Sequence, residues 1–138
     1  MTDVLHHIEI NVSNLKEALS FWQWFLADLG YELYQTWEDG QSWKYGETYL
    51  VFAQTQPQFL DAPYHRGQVG LNHLAFHAKS RAHVDDMTIK LRARGATILY
   101  EDRHPYAGGP AYYAVFFEGP DRMKLELVAP EGELLEYD

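Results

Sequence analysis

The 138-residue sequence contains no cysteine. Disulfides, thiolate metal ligands and a cysteine nucleophile are therefore excluded. The sequence also lacks any run of the roughly 18 apolar residues that a membrane-spanning helix requires. Its first residues, MTDVLHHIEI, have neither the basic region nor the long apolar region of a secretory signal. We therefore expect a cytoplasmic protein that is not inserted in a membrane.

Basic residues are scarce relative to acidic ones. The chain has 11 lysine and arginine residues against 20 aspartate and glutamate residues, which gives a net charge of −9. Nucleic acids and anionic membrane surfaces both bind to basic protein surfaces, so neither is an expected partner. Hydrophobic residues make up 46% of the chain, enough for the core of one compact domain. The composition thus predicts a single folded domain, but it does not identify a substrate.

The first half of the chain predicts one strand, one helix and three further strands. Residues 5–12 (LHHIEINV) alternate apolar and polar side chains, as a strand does. Ser13 or Asn14 is a candidate N-cap, Glu17 completes a capping-box pattern with Asn14, and Gly30 is a candidate C-terminal stop. An EDG sequence then indicates a hairpin. The three later strands are predicted at about 31–37, 41–45 and 48–54.

The second half predicts the same order again. Residues 71–78 (LNHLAFHA) alternate as a strand, and SRAHVDDMTIKLRARG follows as an amphipathic helix. Its buried stripe is expected to contain Val84, Met87, Ile89 and Leu91. Further strands are expected in ATILY, YYAVFFEG and MKLELVAP. His7 and His73 occupy matching positions, 73 − 7 = 66 residues apart, so we interpret the chain as a duplicated module.

This duplication predicts an α+β fold with two βαβββ modules in one domain, residues 1–138. The first module covers about residues 4–54 and the second about residues 70–130. Residues 55–69 (TQPQFLDAPYHRGQV) contain two prolines and little periodicity, so they are interpreted as a linker. Connections of this length are often functional or mobile.

Three residues of the predicted strands are candidate ligands of one metal ion. The alternation places His7, His73 and Glu126 on the strand faces opposite the helices, where an unpaired charge is costly to bury. Two imidazoles and one carboxylate suit divalent iron, manganese, nickel or zinc, and they leave coordination positions open for a substrate. The alternative interpretation is that each residue is an ordinary surface or hydrogen-bonded group.

The same faces carry candidate catalytic groups. His77 lies four residues after His73 and could be a general base, although a hydrogen bond to a neighbouring strand would also explain it. Tyr112 or Tyr113 could donate a hydrogen bond to an oxyanion, and the alternation leaves open which of the two faces the site. The catalytic candidates are His77, Tyr113 and Glu126.

Candidate substrate contacts come from both modules. Glu9 and Asn11 share the face of His7 and could orient a substrate or a water molecule. Trp43 and Tyr49 could line an apolar or aromatic pocket, with packing as the alternative. The substrate-binding candidates are Glu9, Asn11, Trp43, Tyr49 and Tyr112.

Three segments of the sequence resemble the vicinal oxygen chelate superfamily, which includes glyoxalase I, bleomycin-resistance proteins, fosfomycin-resistance thiol transferases and extradiol dioxygenases. HIEINVSNLKEALSFW resembles the opening of the first module of that family. GLNHLAFHAKSRAHVDDM resembles the opening of the second module, and YYAVFFEGPDRMKLELV resembles the closing hairpin. Together they span nearly the whole chain. The resemblance implies that the two modules form an open, incomplete β-barrel around a metal site.

Carried over position by position, the resemblance implies that His7, His73 and Glu126 are the metal ligands. Glyoxalase I members have a fourth ligand, a glutamate on the fourth strand. The corresponding strand here, TYLVFAQ, contains no carboxylate. This departure makes the site more like the three-ligand sites of the thiol transferases and ring-cleaving dioxygenases.

The implied function is a metal-dependent reaction of a small molecule. The metal would bind two adjacent oxygens of the substrate and stabilise the negative charge that develops. A glyoxalase-like lyase or isomerase is the first interpretation. The alternatives are an extradiol-type dioxygenase, a thiol transferase, and a metal-free protein that sequesters a drug. A homodimer is expected, with the site either inside one chain or shared between two.

Overall fold

The computed structural model describes residues 4–132, and these residues divide into two compact units. The first unit ends at Tyr64 and the second begins at His65, inside the stretch 55–69 that was interpreted as a linker. Each unit has its own helix and its own sheet. Between residues 4 and 132, no helix is long and apolar enough to cross a membrane.

The first unit contains the predicted order of one strand, one helix and three strands. Its elements are β1 (His7–Val12), α1 (Leu15–Leu29), β2 (Glu32–Trp37), β3 (Gly40–Tyr45) and β4 (Thr48–Gln54). The sheet order is β1-β4-β3-β2. β1 runs parallel to β4, and the other neighbouring strands are antiparallel. The predicted elements of the first module are confirmed.

Helix α1 begins and ends where its capping residues predict. The Oδ1 atom of Asn14 accepts a hydrogen bond from the Glu17 N–H at 3.0 Å, which satisfies a free donor of the first turn. Gly30 closes the helix at φ +99, a left-handed conformation that glycine adopts without a Cβ clash.

Gln54, the last residue of β4, binds the start of α1. Its Oε1 atom accepts the Leu15 N–H at 2.8 Å, and its Nε2 atom donates to the Ser13 carbonyl at 2.9 Å. The side chain therefore links the parallel strand pair to the helix. Because both ends of the amide are engaged, Gln54 is a structural residue of the first unit.

One face of the first sheet packs on α1, and the other carries polar side chains. Ile10 and Val12 of β1 are buried, and Trp22 of α1 stacks on Phe52 of β4 with ring centroids 4.6 Å apart. Burying a side chain of this size stabilises the fold by roughly 1.5–3 kcal/mol. The alternating residues of β1 are exposed, as predicted: His7, Glu9 and Asn11.

The second unit contains one helix and three strands. Its elements are β5 (Leu74–His77), α2 (Arg81–Ala93), β6 (Ala114–Glu118) and β7 (Lys124–Val128). The sheet order is β5-β7-β6, with β5 parallel and β6 antiparallel to β7. The described residues thus form an α+β fold with two open sheets of four and three strands, neither of which closes into a barrel.

The prediction of a strand at ATILY is wrong. This segment makes only an isolated bridge between Ile98 and Phe117. Two residues later Tyr100 adopts φ +57, a left-handed conformation that ends extended pairing and turns the chain into a loop. The loop continues to Tyr113, so β6 begins at Ala114 and not at Tyr112 as predicted.

The predicted buried stripe of α2 is correct except at one position. Val84, Met87 and Leu91 are buried, but Ile89 is 66% exposed. Positions 84, 87 and 91 follow the i, i+3, i+7 spacing of one helix face, and position 89 falls outside it. Thr88 fills the stripe instead, and its hydroxyl donates to the Val84 carbonyl at 2.8 Å.

Candidate functional site

Glu126 is a carboxylate in the centre of the second sheet, and it is only 2% exposed. It lies in the middle of β7, between Ala75 of β5 and Phe116 of β6. Burying a carboxylate costs several kcal/mol of folding free energy unless its oxygens are paired. Removing one partner of a buried ion pair typically destabilises a protein by roughly 3–5 kcal/mol. The neighbours of Glu126 therefore decide what this position can do.

Two side chains of the second unit contact Glu126, one at each oxygen. The Tyr112 hydroxyl donates a short hydrogen bond to Oε2. The Nε2 atom of His73 lies 3.2 Å from Oε1, and the His73 side chain is 33% exposed. His73 immediately precedes β5, and Tyr112 is the second-last residue of the loop before β6. One oxygen of the carboxylate thus accepts a hydrogen bond from a phenol, and the other contacts an imidazole that is accessible to solvent.

The ring of His73 is oriented by its neighbour Asn72. The Nδ1 atom of His73 lies 2.7 Å from Oδ1 of Asn72, an oxygen that accepts a hydrogen bond from the tautomer carrying its proton on Nδ1. In that tautomer the unprotonated Nε2 atom is directed toward Oε1 of Glu126, 3.2 Å away. This donor set, an oriented imidazole and a buried carboxylate, fits a divalent metal ion.

Tyr112 remains a hydrogen-bond donor at neutral pH. Burial, the hydrogen bond to Glu126 and the charges of Glu126 and Glu131 raise the pKa of Tyr112 to about 12. The loop also needs a glycine beside the ring, because a Cβ on Gly108 would lie 2.4 Å from Cδ1 of Tyr112. A cleft of about 430 Å³ opens next to this tyrosine, lined by residues 109–112, 131 and 132.

Tyr113, the other candidate tyrosine, faces α2. Its hydroxyl donates to Oδ1 of Asp85 at 2.6 Å, and the guanidinium of Arg81 lies 4.9 Å from its ring centroid. The two adjacent tyrosines therefore have different partners. The structure brings Tyr112 to Glu126 and His73, and it places Tyr113 with the first turn of α2.

His77 lies at the end of β5 and is exposed. The alternation of β5 places it on the same side of the strand as Ala75, which is paired with Glu126. Its own partner in the parallel register is Val128, two residues beyond Glu126. His77 is thus near the edge of the face that carries Glu126.

In the first unit the structure brings His7 and Tyr49 together. The two rings stack at a centroid distance of 4.8 Å and an interplanar angle of 4°. The Nδ1 atoms of His6 and His7 lie 2.8 Å apart. Tyr49 also borders a cleft of about 430 Å³ with Tyr34 and Lys44. An aromatic surface next to His7 is therefore present in this unit.

The other substrate-binding candidates of the first unit do not line the cleft beside Tyr49. Glu9 and Asn11 line a second cleft of about 380 Å³ with Phe59. Trp43 is paired with Leu50 on the α1 side of the sheet, and its Nε1 atom donates to Gln41 at 2.8 Å. Since successive strand residues face opposite sides, Trp43 and Tyr49 do not share a face.

Within the part of the chain that the structure describes, no three His, Asp or Glu side chains are gathered as ligands of a single metal ion. The second unit contributes the pair His73 and Glu126. The HHIEI and NHLAF patterns do not identify Asn72, because nothing in them distinguishes an orienting amide from a surface amide. Lys124 precedes Glu126 by two residues on the same strand face, as the alternation of the last strand predicts.

A family model matches residues 4–127 of this chain, and its description is the Glyoxalase/Bleomycin resistance protein/Dioxygenase superfamily. The match covers the two helices, every strand except the last residue of β7, and both of the paired residues His73 and Glu126. The chain belongs to this superfamily.

Individual relatives are similar to the chain at different levels of identity. The chain is 58% identical over 126 residues to the uncharacterized protein YqjT of Bacillus subtilis (strain 168), covering 91% of this chain and 98% of that protein. Its sequence is 60% identical to that of a proposed glyoxalase from Bacillus halodurans, whose crystal structure is known. The two structures superpose with a TM-score of 0.91, and the match covers 92% of this chain and 96% of that one. A fosfomycin resistance protein, FosX, from Listeria monocytogenes has the same fold at 21% identity and a TM-score of 0.69, covering 96% and 97%.

Proposed function

We propose that the protein is a metal-dependent enzyme of the glyoxalase-like type, a lyase or isomerase for a small substrate with two adjacent oxygens. The observation that carries the proposal is the buried carboxylate of Glu126 facing the Nε2 atom of His73 at 3.2 Å. The Nδ1 atom of His73 lies 2.7 Å from the side-chain oxygen of Asn72, which leaves Nε2 for a metal ion, the arrangement in which metal-binding histidines are usually held. His7 is the proposed third ligand, on the strength of the sequence.

The bound metal, iron, manganese, nickel or zinc, would act as a Lewis acid toward the substrate oxygens. Tyr112 holds the carboxylate of Glu126 in one orientation by donating to Oε2. We propose Tyr112, and not Tyr113, as the tyrosine of the site, because the hydroxyl of Tyr113 is bonded to Asp85. His77 is the proposed general base, since it is exposed at the end of the strand that follows His73.

Glu9, Asn11 and Tyr49 are the proposed substrate contacts of the first unit. The stack of Tyr49 on His7 supports an aromatic or apolar surface beside the third ligand. We do not propose Trp43 as a substrate contact, because its indole N–H donates a hydrogen bond to Gln41 on the side of the sheet that packs on α1.

The test is the metal content of freshly purified protein, measured by elemental analysis beside the variant Glu126→Gln. We expect about one divalent metal ion per chain in the parent and a large loss in the variant, because the carboxylate is one of three ligands. Glu101→Gln is the matched control, since Glu101 pairs with Arg92 at 2.7 Å on the surface. Absence of metal from the parent, even after loading with each of the four metals, would refute the proposal.

A metal-free protein that sequesters an aromatic drug is the second candidate. The observation that favours it is the row of aromatic rings in the first unit, where Tyr49 also approaches Tyr34 at a centroid distance of 5.1 Å. Such a protein would keep its ligand affinity after chelation and after Glu126→Gln. The proposed enzyme would lose activity under both conditions. Chelation and Glu126→Gln therefore distinguish the enzyme from the drug-sequestering protein.

A further inference from the structure

Lys124 is a cation that has no carboxylate partner in the described part of the chain. Its Nζ atom donates to the Tyr100 hydroxyl at 2.8 Å. The same atom lies 4.9 Å from the ring centroid of Tyr100 and 5.3 Å from that of Phe116. The ammonium is therefore held against two aromatic faces, which attract a cation without neutralising its charge.

The carboxylate directly across the sheet from Lys124 is engaged elsewhere. Glu118 is opposite Lys124 in the register of β6 and β7. Its Oε2 atom accepts hydrogen bonds from Arg66 at 2.6 Å and from Arg122 at 3.3 Å. The carboxylate of Glu118 is therefore shared by two arginines, and in the described residues no ion pair joins it to Lys124.

Lys124 shares a strand face with Glu126. Residues two apart on a strand point to the same side and are separated by about 7 Å along the strand. Phe116 is directly opposite Glu126, and its ring centroid lies 6.3 Å from that of His73. The aromatic ring that contacts Lys124 therefore also borders the histidine of the candidate metal site.

Tyr100 reaches Lys124 from a strained backbone. Its φ of +57 lies in the left-handed region, which non-glycine residues seldom adopt. The carbonyl of Tyr100 accepts hydrogen bonds from the N–H groups of Arg103 and His104 at 2.9 and 3.0 Å, which hold the turn in place. Strain of this kind persists where the surrounding structure enforces it and is concentrated at binding sites.

We propose that Lys124, framed by Tyr100 and Phe116, binds an anionic group of the substrate held at His73 and Glu126. The group is a carboxylate or a phosphate-like oxyanion, separated from the reacting oxygens by about the length of two strand residues. The inference depends on the proposed function only in assigning the anion to the substrate. The anion site itself is expected to bind without a metal ion.

The test uses metal-free protein, dialysed against a chelator, with inorganic phosphate and acetate as separate probes. Backbone amide NMR signals of Phe116, Lys124 and Glu126 are followed during each titration. We expect saturable shifts at these residues with at least one probe. Tighter binding of phosphate would indicate that the site prefers a phosphate-like group, and tighter binding of acetate would indicate that it prefers a carboxylate.

Three variants assign the effect to the charge of Lys124. Lys124→Gln should weaken binding of the probe by about tenfold or more, the factor for losing one charge-assisted hydrogen bond. Lys124→Arg should retain binding, which excludes an effect of packing alone. Lys90→Gln is the matched control, because Lys90 pairs with Asp86 at 3.1 Å on the surface of α2. The amide spectrum of each variant verifies that it is folded.

The inference and the proposed function can fail separately. Glu126→Gln should lose metal but keep the response of Lys124 to phosphate or acetate, because the anion site does not include Glu126. If neither anion saturates at Lys124, or if Lys124→Gln binds like the parent, the anion site is refuted whatever the metal analysis shows. If the anion saturates at Lys124 but the parent protein takes up none of the four metals on loading, the anion site is supported and only the proposed enzyme is refuted.

Discussion

The two oxygens of Glu126 have partners of different kinds, and this difference matters at the scale of single residues. Oε2 is bonded to the neutral phenol of Tyr112, while Oε1 faces the imidazole of His73. A neutral donor lowers the energetic cost of burying a carboxyl group. Tyr112 thus orients the carboxyl group of Glu126, and its second oxygen is directed toward the imidazole of His73.

Replacing Tyr112 by phenylalanine should weaken the binding of a divalent metal. The variant removes the hydroxyl that orients Glu126 and leaves the ring, and losing such a partner of a ligand typically lowers metal affinity by about 10- to 100-fold. Competition against a chromophoric chelator measures the affinity. Tyr113→Phe is the control, because it removes a hydroxyl bonded to Asp85. Equal effects of the two variants would contradict the role given to Tyr112.

The sequence predicts the partners of Glu126 only in part. Strand alternation places His73 and Glu126 on the correct faces, since a period of two is a local property of the chain. The choice between Tyr112 and Tyr113 is not local. Both residues precede β6, and their directions depend on the loop from 101 to 113 and on Asp85, which is 28 residues away from Tyr113.

At the scale of elements, the first unit was predictable because its signals are local. Asn14 and Gly30 cap α1, and the alternation of β1 gives the buried face. The second unit departs from the prediction where long-range packing decides. ATILY has the composition of a strand, but only Ile98 finds a bridging partner before the turn at Tyr100. Residue type alone does not reveal that turn, because a left-handed tyrosine is uncommon.

Arg66 attaches the first residues of the second unit to β6, and its removal should destabilise that unit. Arg66 donates to Glu118 and to the Arg122 carbonyl, and the Arg66 and Glu118 side chains are 21% and 15% exposed. We expect Arg66→Ala to lower the free energy of unfolding by about 1 kcal/mol near neutral pH. Arg92→Ala is the matched control, because its pair with Glu101 is at least half exposed and should contribute about 0.5 kcal/mol or less.

The same ion pair gives the prediction a pH dependence. Burial raises the pKa of Glu118, but the hydrogen bonds and charges of Arg66 and Arg122 outweigh burial and hold it below its usual 4.5. A carboxyl group whose pKa is lowered by folding stabilises the protein at pH values above its pKa in the unfolded chain. This contribution disappears as the pH falls through the pKa of the same group in the folded protein. The difference between parent and Arg66→Ala in urea unfolding should therefore shrink below about pH 4.5. A difference that persists in acid would assign the effect to packing.

At the scale of the whole molecule, the fold limits the chemistry without selecting it. The superfamily to which the chain belongs includes glyoxalases, bleomycin resistance proteins and dioxygenases by its own description. One fold therefore supports several reactions, and the reaction is set by the side chains placed on it. In this chain we propose that those side chains are the pair His73 and Glu126, as metal ligands, and the cation Lys124, as an anion-binding group.

The predicted homodimer can be tested on the edge of the first sheet. β2 is an edge strand, every residue of which is exposed, and Leu33 is an apolar side chain on it. Exposed apolar side chains on a free strand edge favour association with a second chain. We expect sedimentation equilibrium to give twice the 16.0 kDa of one chain. Leu33→Glu should shift the equilibrium toward monomer.

The control for this experiment is Ile89→Glu on α2. Ile89 is the more exposed of the two residues, but it lies on a helix whose backbone donors and acceptors are already bonded within the helix. If apolar exposure alone drove association, both variants would dissociate the dimer. If the edge of the sheet is the interface, only Leu33→Glu does so. A parent protein that sediments as a monomer at every concentration would refute the homodimer, and a functional site would then have to be complete within one chain.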